Sequence, residues 1–215
     1  MVYRTDYHMH STFSDGRTSP EEYIGPAIDA GIREIGFSDH LTLFRDPEHW
    51  NMDPARVPEY IDYVERLKQK TKEINIRTGL EVDYFEGREQ ETGEFLKPFN
   101  LDYIIGSVHF QGEVTVDLGP QFYEGNDIDT LFARYFKTVE AAVASGLFDI
   151  IGHCDLIRIY GYRPEGDIEP LYRSLAGCMK KHDVAFEINT NGRNRPLADF
   201  YPDRKFLRIF MEEGV

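Results

Sequence analysis

The sequence predicts an α/β fold in which strands alternate with helices around a parallel sheet or barrel. Short runs rich in β-branched and aliphatic residues alternate with longer segments of helical period, the rhythm of successive βα units. Helices also hand over to strands through a glycine followed by an aliphatic residue, at Gly31-Ile32 and Gly146-Leu147. With 215 residues, 41% of them hydrophobic and 13% aromatic, the chain can bury a substantial core. Residues 1–215 are therefore expected to form a single domain.

The first strand is expected at 3–10. Ser19-Pro20-Glu21-Glu22 then combines an N-cap serine, a proline at the first helical position and a capping-box glutamate, so a helix starts there and ends at Gly31. A strand at 34–38 follows. A loop carrying Pro47, Trp50 and Pro54 leads to a helix whose apolar positions Val57, Tyr60, Ile61, Val64 and Leu67 have helical spacing. Strands are expected at 76–82 and 103–108, with a loop or short helix at 86–94 between them. A helix at 128–144, a strand at 148–151, a helix at 169–181, a strand at 185–188 and a helix at 204–213 complete the series. At Gly214-Val215 the same glycine-aliphatic junction recurs, so a further βα element is expected beyond it.

Charge and cysteine usage narrow the classes of function. The formal net charge of -14 repels nucleic-acid phosphates and argues against general DNA or RNA binding. No stretch reaches the roughly 18 to 20 apolar residues that cross a bilayer, and MVYRTDYHMH lacks the layout of a signal peptide. Two cysteines, Cys154 and Cys178, are too few for a disulfide framework, so a reducing, cytoplasmic setting is expected. The oligomeric state stays open.

The placement of histidine carries the chemistry. His8 and His10 close the first predicted strand, His40 follows the second, and His109 and His153 follow the fourth and fifth; Glu81 ends the third. In a parallel βα array all strand C-termini share one face, so these residues converge there. His8 and His10 are two apart, and strand alternation points both imidazoles to one side, able to grip one ion. Asp15 sits on a tight turn, FSDG, that can bend its carboxylate back. Such a mixed set suits Zn, Mn or Fe without choosing among them. His49 and His182 are left out: the first sits in a long loop, the second follows two lysines at a helix C-terminus, where a cation complements the helix dipole.

At HMHSTFSDG, GFSDH, GLEVDYF, GSVHF and GHCDLIR the chain resembles the polymerase-and-histidinol-phosphatase (PHP) family, of the histidinol-phosphate phosphatase type. The resemblance covers essentially the whole sequence. It implies a distorted (β/α)7 barrel, TIM-barrel-like, with up to three divalent ions (Zn, Mn or Fe) at the strand ends, and a small phosphomonoester, histidinol phosphate, as substrate. By that resemblance His8, His10 and Glu81 hold one ion, Glu81 bridges to a second held by His109 and His153, and Asp15 with His40 holds a third. The family's closing Asp-x-His motif has no counterpart before Val215. The barrel is therefore expected to be cut short of its last strand, with weakened metal retention and impaired activity.

In-line displacement between metal ions needs arginine for the remaining phosphate charge. Arg158, Arg193 and Arg195 lie within loop reach, and the resemblance favours Arg158 and Arg195, leaving Arg193 as a solvated surface residue. Asp39 and Asp155 flank ligand histidines, where a carboxylate orients an imidazole or helps protonate the leaving alkoxide, or equally serves as a turn residue. Two other readings remain: a nucleotide- or diester-processing relative, or a metal-binding module without turnover. An amidohydrolase-type barrel ranks low because no predicted strand end carries lysine.

Overall fold

The computed structural model describes residues 4–45 and 50–215. Tyr3, Pro47 and His49 fall outside the described residues. By its internal contacts the chain divides into two compact units, residues 1–83 with 91–105, and 84–90 with 106–215.

In the first unit β1 (Thr5–Met9) pairs in parallel with β2 (Glu34–Phe37), and β2 with β4 (Asn75–Asp83), in the register Glu34 to Asn75 through Phe37 to Thr78. After β2 the chain steps sideways and resumes as the two-residue β3 (His40–Leu41), which sets His40 beside Glu81 on β4. His40 therefore opens a strand of its own, where the sequence reading placed it just past the second. Helix α1 (Pro20–Asp29) starts as its signature requires: the Ser19 N–H donates to Glu22 Oε2 at 2.8 Å. Helix α2 (Val57–Lys70) buries Val57, Tyr60, Val64 and Leu67, its apolar stripe, and Tyr60 donates to Gly79 O on β4 at 2.9 Å. Helix α3 (Glu89–Leu96) opens in the second unit and runs into the first.

Tyr103, first residue of β5 (Tyr103–Ser107), locks this sheet. Its hydroxyl donates to Tyr7 O at 2.6 Å and Phe37 O at 3.2 Å. A Cβ at Gly36 or Gly79 would come within 2.3 and 2.4 Å of that side chain, so glycine is required at both positions.

In the second unit β6 (Phe110–Gln111) and β7 (Val114–Thr115) form a hairpin turned at Gly112, whose φ of +69° suits glycine. Helix α4 (Ile128–Ala144) is capped by Asp127, which accepts from the Thr130 N–H at 2.6 Å. Strands β8 (Ile150–Ile151) and β9 (Ala185–Phe186) pair in parallel, both shorter than the aliphatic runs that predicted them. Helices α5 (Glu169–His182) and α6 (Arg204–Glu213) complete the unit. Its core is aromatic: Tyr172 and Phe206 stack at 4.1 Å between centroids, with Phe136 and Phe210 packed around Phe206. His182 closes the last turn of α5 behind Lys180 and Lys181, as the dipole argument expects. Among the described residues no helix is long and apolar enough to cross a membrane.

Candidate functional site

In the first unit three imidazoles converge on one carboxylate oxygen. Glu81 Oε2 lies 3.1 Å from His8 Nε2, 3.0 Å from His10 Nε2 and 2.7 Å from His40 Nδ1. Local structure explains the convergence. His8 and His10 leave β1 two residues apart, and the β3–β4 pairing places His40 against Glu81. Glu81 is 1% exposed, and the edge of the His40 ring meets Trp50 at 4.6 Å between centroids.

Asp15 arrives from the turn after β1. Its Oδ1 lies 2.9 Å from His10 Nδ1 and 4.0 Å from His40 Nε2. The first contact orients the His10 ring with Nε2 toward Glu81, the usual carboxylate–imidazole support of a metal ligand. The second is somewhat wider than the roughly 3.4 Å between neighbouring ligands of a tetrahedral ion with bonds of about 2.1 Å.

The donor set fits divalent cations on its own chemistry. A neutral imidazole offers one acceptor nitrogen and a carboxylate only acceptor oxygens, and imidazole and carboxylate together are donor groups that zinc, manganese and iron take as ligands. His10 Nε2 is buried without a properly directed hydrogen bond. Burial opposes a charge on this ring, but the carboxylates of Asp15 and Glu81 outweigh it and hold the His10 pKa up at about 9. Asp15 moves the opposite way: burial raises its pKa, while the His10 contact and the His40 charge lower it further.

The turn that presents Asp15 is built on Asp39. This carboxylate is fully buried and accepts from Ser11 N at 2.7 Å, Ser11 Oγ at 2.9 Å, Ser14 N at 3.1 Å and Ser14 Oγ at 2.7 Å. These contacts make Asp39 the residue that shapes the turn carrying Asp15, the turn reading that the sequence also allowed. Gly16 completes the turn, since a Cβ there would lie 2.2 Å from His10 O.

In the second unit the rings of His109 and His153 approach to 5.0 Å between centroids, both largely buried. Glu187, just past β9, accepts from the His153 N–H at 2.7 Å and from Asn189 Nδ2 at 3.0 Å. Sequence reasoning missed Glu187, although the strand-end placement that singled out Glu81 applies equally to it.

Arg158 and Asp155 take a different role from the one expected. Arg158 is 1% exposed; its Nη1 donates to Asp155 Oδ2 at 2.5 Å and to Phe200 O at 3.3 Å, and Asp199 and Asp203 lie at 3.5 and 3.9 Å. The guanidinium is thus engaged by protein carboxylates. Asp155 also accepts from the Asp203 N–H at 2.9 Å, so the pair ties the chain after β8 to the start of α6. Burial lifts the Asp155 pKa against the pull of Arg158, yet the carboxylate is fully buried and these contacts orient no imidazole. In this arrangement Asp155 and Arg158 form a structural anchor. Arg195 is exposed, and among the described residues its guanidinium makes no hydrogen bond or ion pair. Arg193 lies over the Phe200 ring at 5.5 Å, a surface cation–π contact.

Parallel βα units whose strand ends gather cation-seeking side chains define the class, an α/β protein equipped for divalent metals. Residues 6–191 match the PHP domain family. The "Probable histidinol-phosphatase" of Deinococcus radiodurans is 35% identical over 98% of this chain and 82% of that protein. The histidinol-phosphatase of Lactococcus lactis subsp. lactis is 29% identical over 93% of this chain and 77% of that protein. A crystal structure of histidinol phosphate phosphatase from that organism, complexed with zinc, L-histidinol and phosphate, superposes with a TM-score of 0.85 at 23% identity, covering all of this chain and 83% of that one. The chain belongs to the PHP family, and its α/β fold is that of the TIM-barrel-like histidinol phosphatases.

Proposed function

We propose that this chain is a metal-dependent phosphatase that hydrolyses histidinol phosphate to histidinol and phosphate, a step of histidine biosynthesis. The observation that carries it is the convergence of His8, His10 and His40 on the buried Glu81 oxygen, an arrangement that asks for a cation. The 35% identical relative, matched along 98% of the chain, supports the substrate.

In this reading His8, His10 and Glu81 hold one ion, Asp15 and His40 a second, and His109 with His153 a third. Zinc, manganese and iron all suit these donors. The zinc-bound Lactococcus structure supports zinc first. Bound divalent ions supply an acidified water and a grip on the phosphoryl oxygens. Asp15 keeps the His10 ring in its binding orientation, Asp39 keeps Asp15 in place, and Arg195 meets the remaining phosphate charge. The substrate is a small phosphorylated metabolite of the cytoplasm. The 24 Lys and Arg against 38 Asp and Glu make a poor track for a polyanionic diester.

Phosphate release is the test, with histidinol phosphate set against other monoesters, a nucleotide and a diester in the presence of zinc or manganese. Preference for histidinol phosphate is the expected result. Preference for the diester or nucleotide overturns the substrate assignment, and no turnover with any of them overturns the enzyme.

A further inference from the structure

The segment between β9 and α6 carries a hydroxyl that the fold leaves unanswered. Tyr201 is pinned by a backbone bridge to Asn189, whose N–H donates to Tyr201 O at 2.7 Å while the Tyr201 N–H donates to Asn189 O at 3.1 Å. Its ring sits edge-on to the His153 imidazole at 6.3 Å between centroids and packs so closely on Gly192 that a Cβ there would approach within 2.8 Å. The residue is 2% exposed, yet its hydroxyl has no hydrogen-bond partner. Among the other buried tyrosines Tyr60 donates to Gly79 O, Tyr103 to Tyr7 O and Tyr123 to Val116 O, while the Tyr135 hydroxyl, like that of Tyr201, has no hydrogen-bond partner. A stranded buried hydroxyl is costly, so a partner from outside the chain is called for.

The surroundings give that partner's chemistry. An ordinary phenol is protonated at neutral pH, so the Tyr201 hydroxyl has an O–H to donate. The outside atom is therefore an acceptor. Arg195, six residues earlier in the same segment, feels Tyr201 electrostatically and has its guanidinium uncommitted, so the acceptor carries negative charge. The His153 ring sits alongside, which places the acceptor next to a proposed metal ligand.

We propose that the Tyr201 hydroxyl is a substrate-binding group that donates a hydrogen bond to a phosphoryl oxygen, sharing the phosphate with Arg195. This rests on the phosphatase reading above. The Tyr201→Phe variant removes one oxygen and keeps the ring, so the packing on Gly192 survives. Three readouts are compared on the metal-loaded protein: thermal unfolding without ligand, orthophosphate binding by calorimetry, and the kinetics of histidinol phosphate hydrolysis. With the stranded hydroxyl gone, the midpoint of unfolding stays or rises. Orthophosphate affinity and kcat/KM fall about ten- to a hundredfold, the weight of one hydrogen bond to a charged acceptor. A lowered unfolding midpoint with unchanged phosphate affinity means that the hydroxyl serves the fold through a bound water, and overturns the inference. Unchanged values in all three readouts overturn it as well. If the parent chain releases no phosphate from any ester, the phosphatase reading fails, while the calorimetric comparison still decides the role of Tyr201.

Discussion

Replacing Asp39 by alanine removes the acceptor around which residues 11–16 are folded. Ser11 N loses its acceptor, and the Ser11 and Ser14 hydroxyls lose theirs, whereas Ser14 N keeps Ser11 O at 3.1 Å. Three stranded groups at about 1 kcal/mol or more each give a destabilisation of about 3–5 kcal/mol. Asparagine behaves differently, because Asp39 Oδ1 accepts three of the four bonds and Oδ2 only the one from Ser11 Oγ. Asp39→Asn therefore costs about 1 kcal/mol. Since the same turn presents Asp15, metal affinity follows the same order, falling about ten- to a hundredfold for alanine, the range seen when groups behind a ligand are removed. Urea unfolding of the two variants, paired with zinc titration, measures both quantities. Equal stabilities for alanine and asparagine, or a zinc affinity untouched in Asp39→Ala, would refute the assignment of Asp39 to the turn.

Three further outcomes follow from the geometry. Glu81→Gln keeps the shape of the side chain but removes the charge on which three imidazoles converge, so tightly bound metal, counted by elemental analysis after dialysis, should be lost while far-ultraviolet circular dichroism is unchanged. The metal-free protein should lose stability as pH rises: His10 is held at about 9 in the fold against 6.5 when unfolded, so its contribution is complete below 6.5 and vanishes through 9. Metal competes with that proton, so zinc affinity should rise across the same window; thermal unfolding after chelation and titration at pH 6.5 and 9 check the two signs. Gly79→Ala drives a methyl to 2.4 Å from the Tyr103 ring, and the displaced ring should cost about 1–3 kcal/mol in urea unfolding, or more because the neighbouring strand backbone has no room to yield.

The parts of the fold and site that can be read from the chain are those governed by local rules. Helices α4 and α6 begin and end where expected because aspartate caps and amphipathic periods are written in neighbouring residues. Helix α3 starts at Glu89 and not at 86, because Gly87 adopts a φ of +80° and its N–H is held by the Glu89 side chain. The imidazoles and Glu81 were legible because a histidine repeated at strand ends has no structural motive. The lengths of β8 and β9 were not, since a strand extends only as far as its neighbour pairs with it.

Sequence by itself determined the α/β architecture, the family and the residue types that ask for a cation, because period, caps and the two-residue spacing of His8 and His10 act through bonds. Only the tertiary structure decided what each charged side chain faces. Asp39 and Asp155 look alike in SDH and GHCD, and Arg158 looks like Arg195, until packing buries the first three among their own partners and leaves Arg195 uncommitted. Glu187 and Tyr201 acquire their places in the same way, from residues distant along the chain. A side chain's charge belongs to the residue, but its desolvation and its partners belong to the fold, and those set whether it builds the structure or meets a ligand.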